Sequence, residues 1–231
     1  MDYERRFFEA VELFNSKEYE DAAGIFEEVA IATKNIAAIK NAISAYYILA
    51  IADRNMTENG LFDEDSSLES VSKAIDLFQL GMEFGILEEN GFNDILKDCY
   101  AIKGYILLRC ENDDCETFLN KAISMGNNQS RFWMIYYYTK CVKKENNDSF
   151  INMYIDKMKS LGESYVQNYS PEDTEDDDLR TVSELLANMF EEENPEKAKK
   201  YANIANSYDE NTRTSNPPQN VTEKKRKWFR R

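Results

Sequence analysis

Apolar residues along this chain recur at helical spacing. In Lys17–Ala30, KEYEDAAGIFEEVA, the residues Ala22, Phe26 and Val29 are four and then three positions apart. Positions i, i+4 and i+7 share one face of an α-helix, so these three form a stripe. Its small residue lets a neighbouring helix approach, and its large residue fills the gap beside it. The spacing recurs at Ala74, Phe78 and Gly81, at Cys115, Leu119 and Ala122, at Ile151, Ile155 and Met158, and at Ala198, Ala202 and Ala205. All five stripes are expected to be buried where helices meet.

Each stripe follows a polar turn: NSKEYED, EDSSLESVSK, ENDD, KENND and EENPEK. Before each turn stands a second helix-length segment rich in large apolar residues. These are YERRFFEAVELF, IAAIKNAISAYYILAIA, ILKDCYAIKGYILL, RFWMIYYYTKCV and LRTVSELLANMF. The repeating unit is therefore helix, turn, helix. One such pair cannot bury its own apolar face, whereas a stack of pairs can. The expected fold is all-α, an array of about five antiparallel helix pairs, and only eight Gly and four Pro argue against a turn-rich β architecture.

The pattern resembles the tetratricopeptide repeat family over roughly residues 3–206. The matching residues are Tyr19, Glu20, Ala22, Phe26 and Val29 in the first pair, and Ala74, Phe78 and Gly81 in the second. In the fifth they are Ala198, Ala202 and Ala205, with Pro195 opening the helix. The fourth pair departs from the family, because Ile151 replaces the small residue. The period departs as well: positions 22, 74, 115, 151 and 198 are spaced more widely than the family's ~34 residues, which calls for longer loops or longer helices. The resemblance implies an α-solenoid that binds proteins or peptides without catalysing a reaction. Some members of that family hold acidic C-terminal peptides with a basic clamp. Here the first helices of the pairs offer Arg5, Arg6, Lys40, Asn41, Lys97 and Lys103 without the clamp's regular spacing, so that activity is not carried over.

Boundary signals fit the pairs. Ser66-x-x-Glu69 has capping-box spacing. Asn194-Pro195 suits an N-cap followed by proline at the first helical position, and Ser170-Pro171 has the same form. Asp53–Ser67 reads as a long acidic loop. Residues 207–231 read as a disordered linker and basic tail after a helical domain over 1–206.

Charge changes the picture at that tail. The chain carries 28 Lys and Arg against 43 Asp and Glu, a net −15. Residues 212–231 hold seven of the bases and one acid, or +6, which leaves the body at −21. An acidic body favours a basic or neutral protein or peptide partner and repels nucleic acid and anionic membrane. The tail has the opposite preference. In KKRKWFRR, Lys224, Lys225, Arg226, Lys227, Arg230 and Arg231 surround Trp228 and Phe229. Such a segment suits docking on an anionic membrane, on RNA through phosphate contacts and stacking, or on the acidic body itself. Tethering by this tail, or peptide sensing in a regulator, are the alternatives to a scaffold.

Little in the chain points to catalysis. There is no histidine, hence no His-paired nucleophile and no His-ligated metal. Phosphate-cradling glycine motifs are also missing. Cys99, Cys110, Cys115 and Cys141 lack CxxC pairing and read as buried structural thiols. The acids of SPEDTEDDDLR, Glu172 to Asp178, lack the EF-hand spacing and read as a solvated helix start rather than a calcium site. No cofactor and no small-molecule substrate is expected. Neither a secretory signal nor a spanning segment of ~20 apolar residues is evident, so a reducing, cytoplasmic setting is the expectation. The partner-binding candidates are Trp133, Tyr136 and Tyr137, because Tyr and Trp are enriched at binding hot spots. The opposing expectation for the same residues is packing between neighbouring pairs.

Overall fold

A computed structural model of the chain describes residues 2–55, 64–85, 87, 92–170 and 176–212. Among them are ten α-helices and no strand: α1 (Tyr3–Asn15), α2 (Tyr19–Thr33), α3 (Ile36–Asn55), α4 (Glu64–Glu83), α5 (Asn93–Arg109), α6 (Cys115–Ser124), α7 (Gln129–Lys144), α8 (Asp148–Gln167), α9 (Asp176–Phe190) and α10 (Pro195–Thr212). Each of the ten helix-length segments expected from the sequence is a helix. The wide spacing between pairs is taken up by helix length, with α3, α4 and α8 each 20 residues long, and by the intervals between Asn55 and Glu64 and between Glu83 and Asn93.

Asparagine and aspartate start many of these helices by accepting orphan N–H groups. Asp2 accepts from Arg5 N at 3.1 Å, Asn35 from Ala37 N at 2.8 Å, Asn147 from Ser149 N at 2.9 Å and Asn194 from Lys197 N at 3.1 Å. The Asn194-Pro195 expectation therefore holds. Ser66 does not cap α4, which already runs from Glu64; instead the next residue, Ser67, is buried and donates its hydroxyl to Ala50 O at 3.0 Å. The helices also invade the segment read as a loop, because α3 continues to Asn55. Pro171 of the Ser170-Pro171 signal lies outside the described residues. At the far end, α10 continues to Thr212, into the segment read as linker.

The chain divides into two compact units, Met1–Tyr137 and Tyr138–Arg231. In the first, each helix from α1 to α6 packs on the next, and α3 also touches α5. Its core gathers Phe26, Val29, Ile39, Ile43, Val71, Ile75, Phe78, Ile102 and Ile106 around a set of alanines. The expected stripe residues Ala22, Ala74 and Cys115 are all buried there. Polar links tie the helices together at the margins. Arg6 pairs with Glu28 at 2.8 Å, Tyr46 donates to Glu27, Tyr47 donates to Asp98 at 2.9 Å and Arg109 pairs with Glu64 at 2.9 Å. Burial, followed by the bond to Glu27, pushes the Tyr46 phenol well above its ordinary value.

In the second unit α8 packs on α9, and α9 on α10. Here the stripe expectation needs correcting. Ile151 and Ala198 are only half-buried, and the buried line of α8 is Met158, Gly162 and Tyr165. That line keeps the four-then-three spacing but begins seven residues later, where α8 meets Leu186 of α9. Phe190 and Tyr201 stack at 6.0 Å. Beside them Glu163 accepts from Lys197 at 2.7 Å and from Tyr201 at 3.0 Å.

Three glycines leave no room for a Cβ, Gly104 and Gly162 against a neighbouring helix and Gly81 against Leu87 just past the end of its own helix. A Cβ on Gly104 would lie 2.7 Å from Leu119 Cγ and 3.0 Å from the Leu119 backbone nitrogen. One on Gly162 would lie 2.8 Å from Leu186 Cδ2, and one on Gly81 would lie 2.4 Å from Leu87 Cδ1. Gly24, by contrast, faces open space in the middle of α2. Alanine in an exposed helix interior is favoured over glycine by about 0.5–1 kcal/mol, whereas overpacking a contact costs about 1–3 kcal/mol. Gly24→Ala should therefore raise the melting temperature and Gly104→Ala should lower it. Thermal unfolding by circular dichroism reads both, and a rise in both would mean that α5 and α6 are not held at this distance.

Glu163 supplies a second test. The hydrogen bond from Lys197, opposed by burial and aided by Tyr201, holds its carboxyl below the usual glutamate value. A depressed carboxylate stabilises the fold above its unfolded pKa of about 4.3, and that stability is lost as pH falls through the lower folded value. Glu163→Gln should lower the melting temperature at pH 7 and lose less of it on acidification than the parent chain. Equal acid sensitivity in the two chains would show that this carboxylate carries none of the pH dependence.

Candidate interaction surface

The aromatic run of α7 does not form one exposed platform. Trp133 is half-buried, with its ring 4.7 Å from that of Tyr105 on α5. Tyr137, one helical turn further on, packs against the cluster of Leu107, Leu108 and Cys115 and donates its hydroxyl to Asp113 at 3.3 Å. Trp133 and Tyr137 thus share a face, and that face lies on α5 and α6. Tyr136 stands a step around the helix and is 52% exposed. Tyr138, off the Trp133–Tyr137 face as its position requires, is buried and stacks on Tyr154 at 5.6 Å. Of the three candidate contact residues, Tyr136 presents most of its ring to the surface.

Four of the bases named on α1, α3 and α5 are engaged separately. Arg6 bonds to Glu9 and Glu28, and Lys97 to Asp94. Lys40 lies 5.8 Å from the ring centre of Phe92. Lys103 lies 4.5 Å from the ring centre of Phe118 on α6, and Lys121, also on α6, lies 5.6 Å from the same ring and 5.0 Å from that of Tyr100. Ammonium groups are drawn to aromatic faces by the ring quadrupole, and Tyr100 and Phe118 are neighbours at 6.3 Å. In the sequence alone Lys103 stands as one of several scattered bases, and Phe118 and Lys121 have no assigned role. A signal was present: Tyr100-x-x-Lys103 and Phe118-x-x-Lys121 each place an aromatic one turn before a lysine, which is contact spacing on a helix.

The thiols divide by position. Cys99 and Cys115 are buried and Cys141 is half-buried, whereas Cys110 is exposed, contrary to the expectation for all four. Burial pushes the Cys99 thiol up to about 12. Cys110 donates to Glu64 at 3.4 Å, and it too is raised, by partial loss of hydration first and then by that carboxylate. Raised thiols are poor nucleophiles at neutral pH, so neither position favours thiolate chemistry. No described helix is long and apolar enough to cross a membrane. The tail candidates Lys224, Lys225, Arg226, Lys227, Trp228, Phe229, Arg230 and Arg231 lie outside the described residues, as does most of the Glu172–Asp178 acid run. No family model matches the chain, and no curated protein matches it.

The different surroundings of the α7 rings separate packing from recognition. Trp133→Ala removes a packed ring and should destabilise the chain by more than about 1 kcal/mol. Tyr136→Ala removes a surface ring and should stay within about 0.5 kcal/mol of the parent. Urea unfolding of both variants checks this, and equal losses would show that Tyr136 is as firmly packed as Trp133.

Proposed function

We propose that the chain is a non-enzymatic scaffold that binds a protein or peptide of neutral or basic character. The observation that carries this reading is the consecutive packing of helix pairs beneath an acid-rich surface on which Tyr136 is exposed. Stacked helix pairs offer extended surfaces for a partner chain. A body of net −21 speeds the approach of positive or neutral segments and slows that of acidic ones. The resemblance to tetratricopeptide repeats points the same way.

The tail supports a second reading. Six bases around Trp228 and Phe229 in a chain that is otherwise strongly acidic suit docking on an anionic membrane or on RNA. Tethering of that kind is compatible with a scaffold body.

A single comparison tests both. The full chain and a chain ending at Thr212 are presented with a displayed random-peptide library, with RNA and with vesicles rich in anionic lipid, each at low and high salt. The scaffold reading expects both chains to enrich neutral or basic peptides, with weaker capture at high salt and after Tyr136→Ala. Enrichment of acidic peptides that survive high salt would overturn it. The tethering reading expects RNA or vesicle binding by the full chain alone. Peptide binding that appears only after the tail is removed would show that the tail covers the body instead.

A further inference from the structure

We propose that the outer face of α1 docks a second copy of this chain, with the two α1 helices antiparallel and meeting at Phe8. Phe8 is 59% exposed, more than any other large hydrophobic side chain among the described residues. The inner face of α1 is turned to α2, where Ala10 is fully buried and Phe7 and Phe14 meet Phe26. The face turned away carries Arg5, Phe8 and Glu12, all exposed. Positions 5 and 12 are about two helical turns apart, so they fall in one row with Phe8 between them. Neither Arg5 nor Glu12 closes an ion pair among the described residues, whereas the neighbouring Arg6 bonds to both Glu9 and Glu28. Ile31 on α2 is nearly as open, at 55%, and also stands between opposite charges. Those charges are already engaged: Glu28 by Arg6, and Lys34 by the ring of Phe84, 4.7 Å from its centre.

The row on α1 is self-complementary. A two-fold axis crossing the helix at Phe8 turns the second helix end for end, and every contact is then made twice. Phe8 lies against Phe8 of the second copy, and Arg5 of each copy comes within reach of Glu12 of the other. In a parallel arrangement each charge would meet its like, so the charges select the antiparallel one. The net −15 of each chain opposes association at long range. At physiological ionic strength the Debye length is ~8 Å, so the charges on the two facing helices decide. Residues 2–15 carry four acids and two bases, a mild imbalance beside that of the whole body. A helix of 13 residues is ~20 Å long. One face of it buries less than the ~800 Å² per partner of a standard interface. The contact is therefore weak and reversible. It uses neither Tyr136 nor the tail, and it stands whether or not the scaffold reading does.

Sedimentation equilibrium of the full chain at physiological salt, from about 10 μM to about 1 mM, tests this. A monomer–dimer equilibrium should appear within that range. Phe8→Ala should weaken it at least about ten-fold, as removal of a central aromatic anchor does. Phe150→Ala on α8, which removes a ring that is 50% exposed, should leave it unchanged. Arg5→Glu and Glu12→Arg should each weaken it about two- to thirty-fold, the worth of two exposed ion pairs. An equimolar mixture of these two variants should associate again, because one copy is then negative at both positions and the other positive at both. A chain carrying both changes should associate like the parent. Recovery in the mixture also shows that the variants are folded. The proposal is overturned if the chain stays monomeric to about 1 mM, if Phe8→Ala associates as the parent does, if Phe150→Ala weakens association as much as Phe8→Ala, or if the mixture stays monomeric.

Discussion

The fold depends on how closely its helices can approach one another. At Gly104 the α5 backbone comes so near α6 that a Cβ would meet both the side chain and the backbone nitrogen of Leu119. Ala22 on α2 and Gly162 on α8 are likewise fully enclosed. Close approach lets Phe26, Leu119 and Leu186 fill the space beside each small residue, so dispersion contacts are gained on both sides of the crossing. Charge, capping and turn chemistry then adjust a geometry that these contacts set. The left-handed turns at Lys17, Lys34 and Glu111 show the order of importance. Non-glycine residues tolerate an unfavourable backbone there because the helices on either side are already held by packing.

The electrostatics follow from the same arrangement. A helical body with twice as many acids as bases must keep its lysines useful, and it does so by laying them across aromatic rings or beside single carboxylates. Lys34 over Phe84, Lys73 over Tyr46 and Lys157 over Tyr138 repeat the motif at separate places. The long methylene stems cover apolar surface while the charged ends stay wet. The surface is therefore not uniformly acidic. Positive charge is held in small spots against apolar rings, and Lys103 and Lys121 both lie over the ring of Phe118.

The helices were legible because their signals are local. Periodicity and polar turns located all ten, and Asn194-Pro195 marked the start of α10. What stayed hidden depends on which turn of one helix meets another. In α8 a stripe from Ile151 and a stripe from Met158 fit the same period, and over 20 residues the pattern cannot rank them. The choice is made by Leu186, which is 24 positions away from Gly162. The aromatic run of α7 posed the same difficulty: its spacing put Trp133 and Tyr137 on one face but did not show that α5 and α6 cover it. The contact of Lys103 and Lys121 with Phe118 is not legible in the sequence, because it arises only when α5 and α6 are side by side.

Asp98 illustrates how a stack with uneven repeat lengths settles on one arrangement. From α5 it accepts from Tyr47 on α3 at 2.9 Å and from Asn127 at 3.5 Å, and the other end of the Asn127 amide accepts from Ser130 N at 2.8 Å, at the start of α7. Apolar side chains tolerate a neighbour displaced by one helical turn, since one methyl-lined groove resembles the next. A half-buried carboxylate does not, because the shift would strip it of its donors without returning it to water. Asp98 therefore acts as a register pin. It makes the slipped stack costly, while the correctly aligned stack gains little from it beyond what packing already provides.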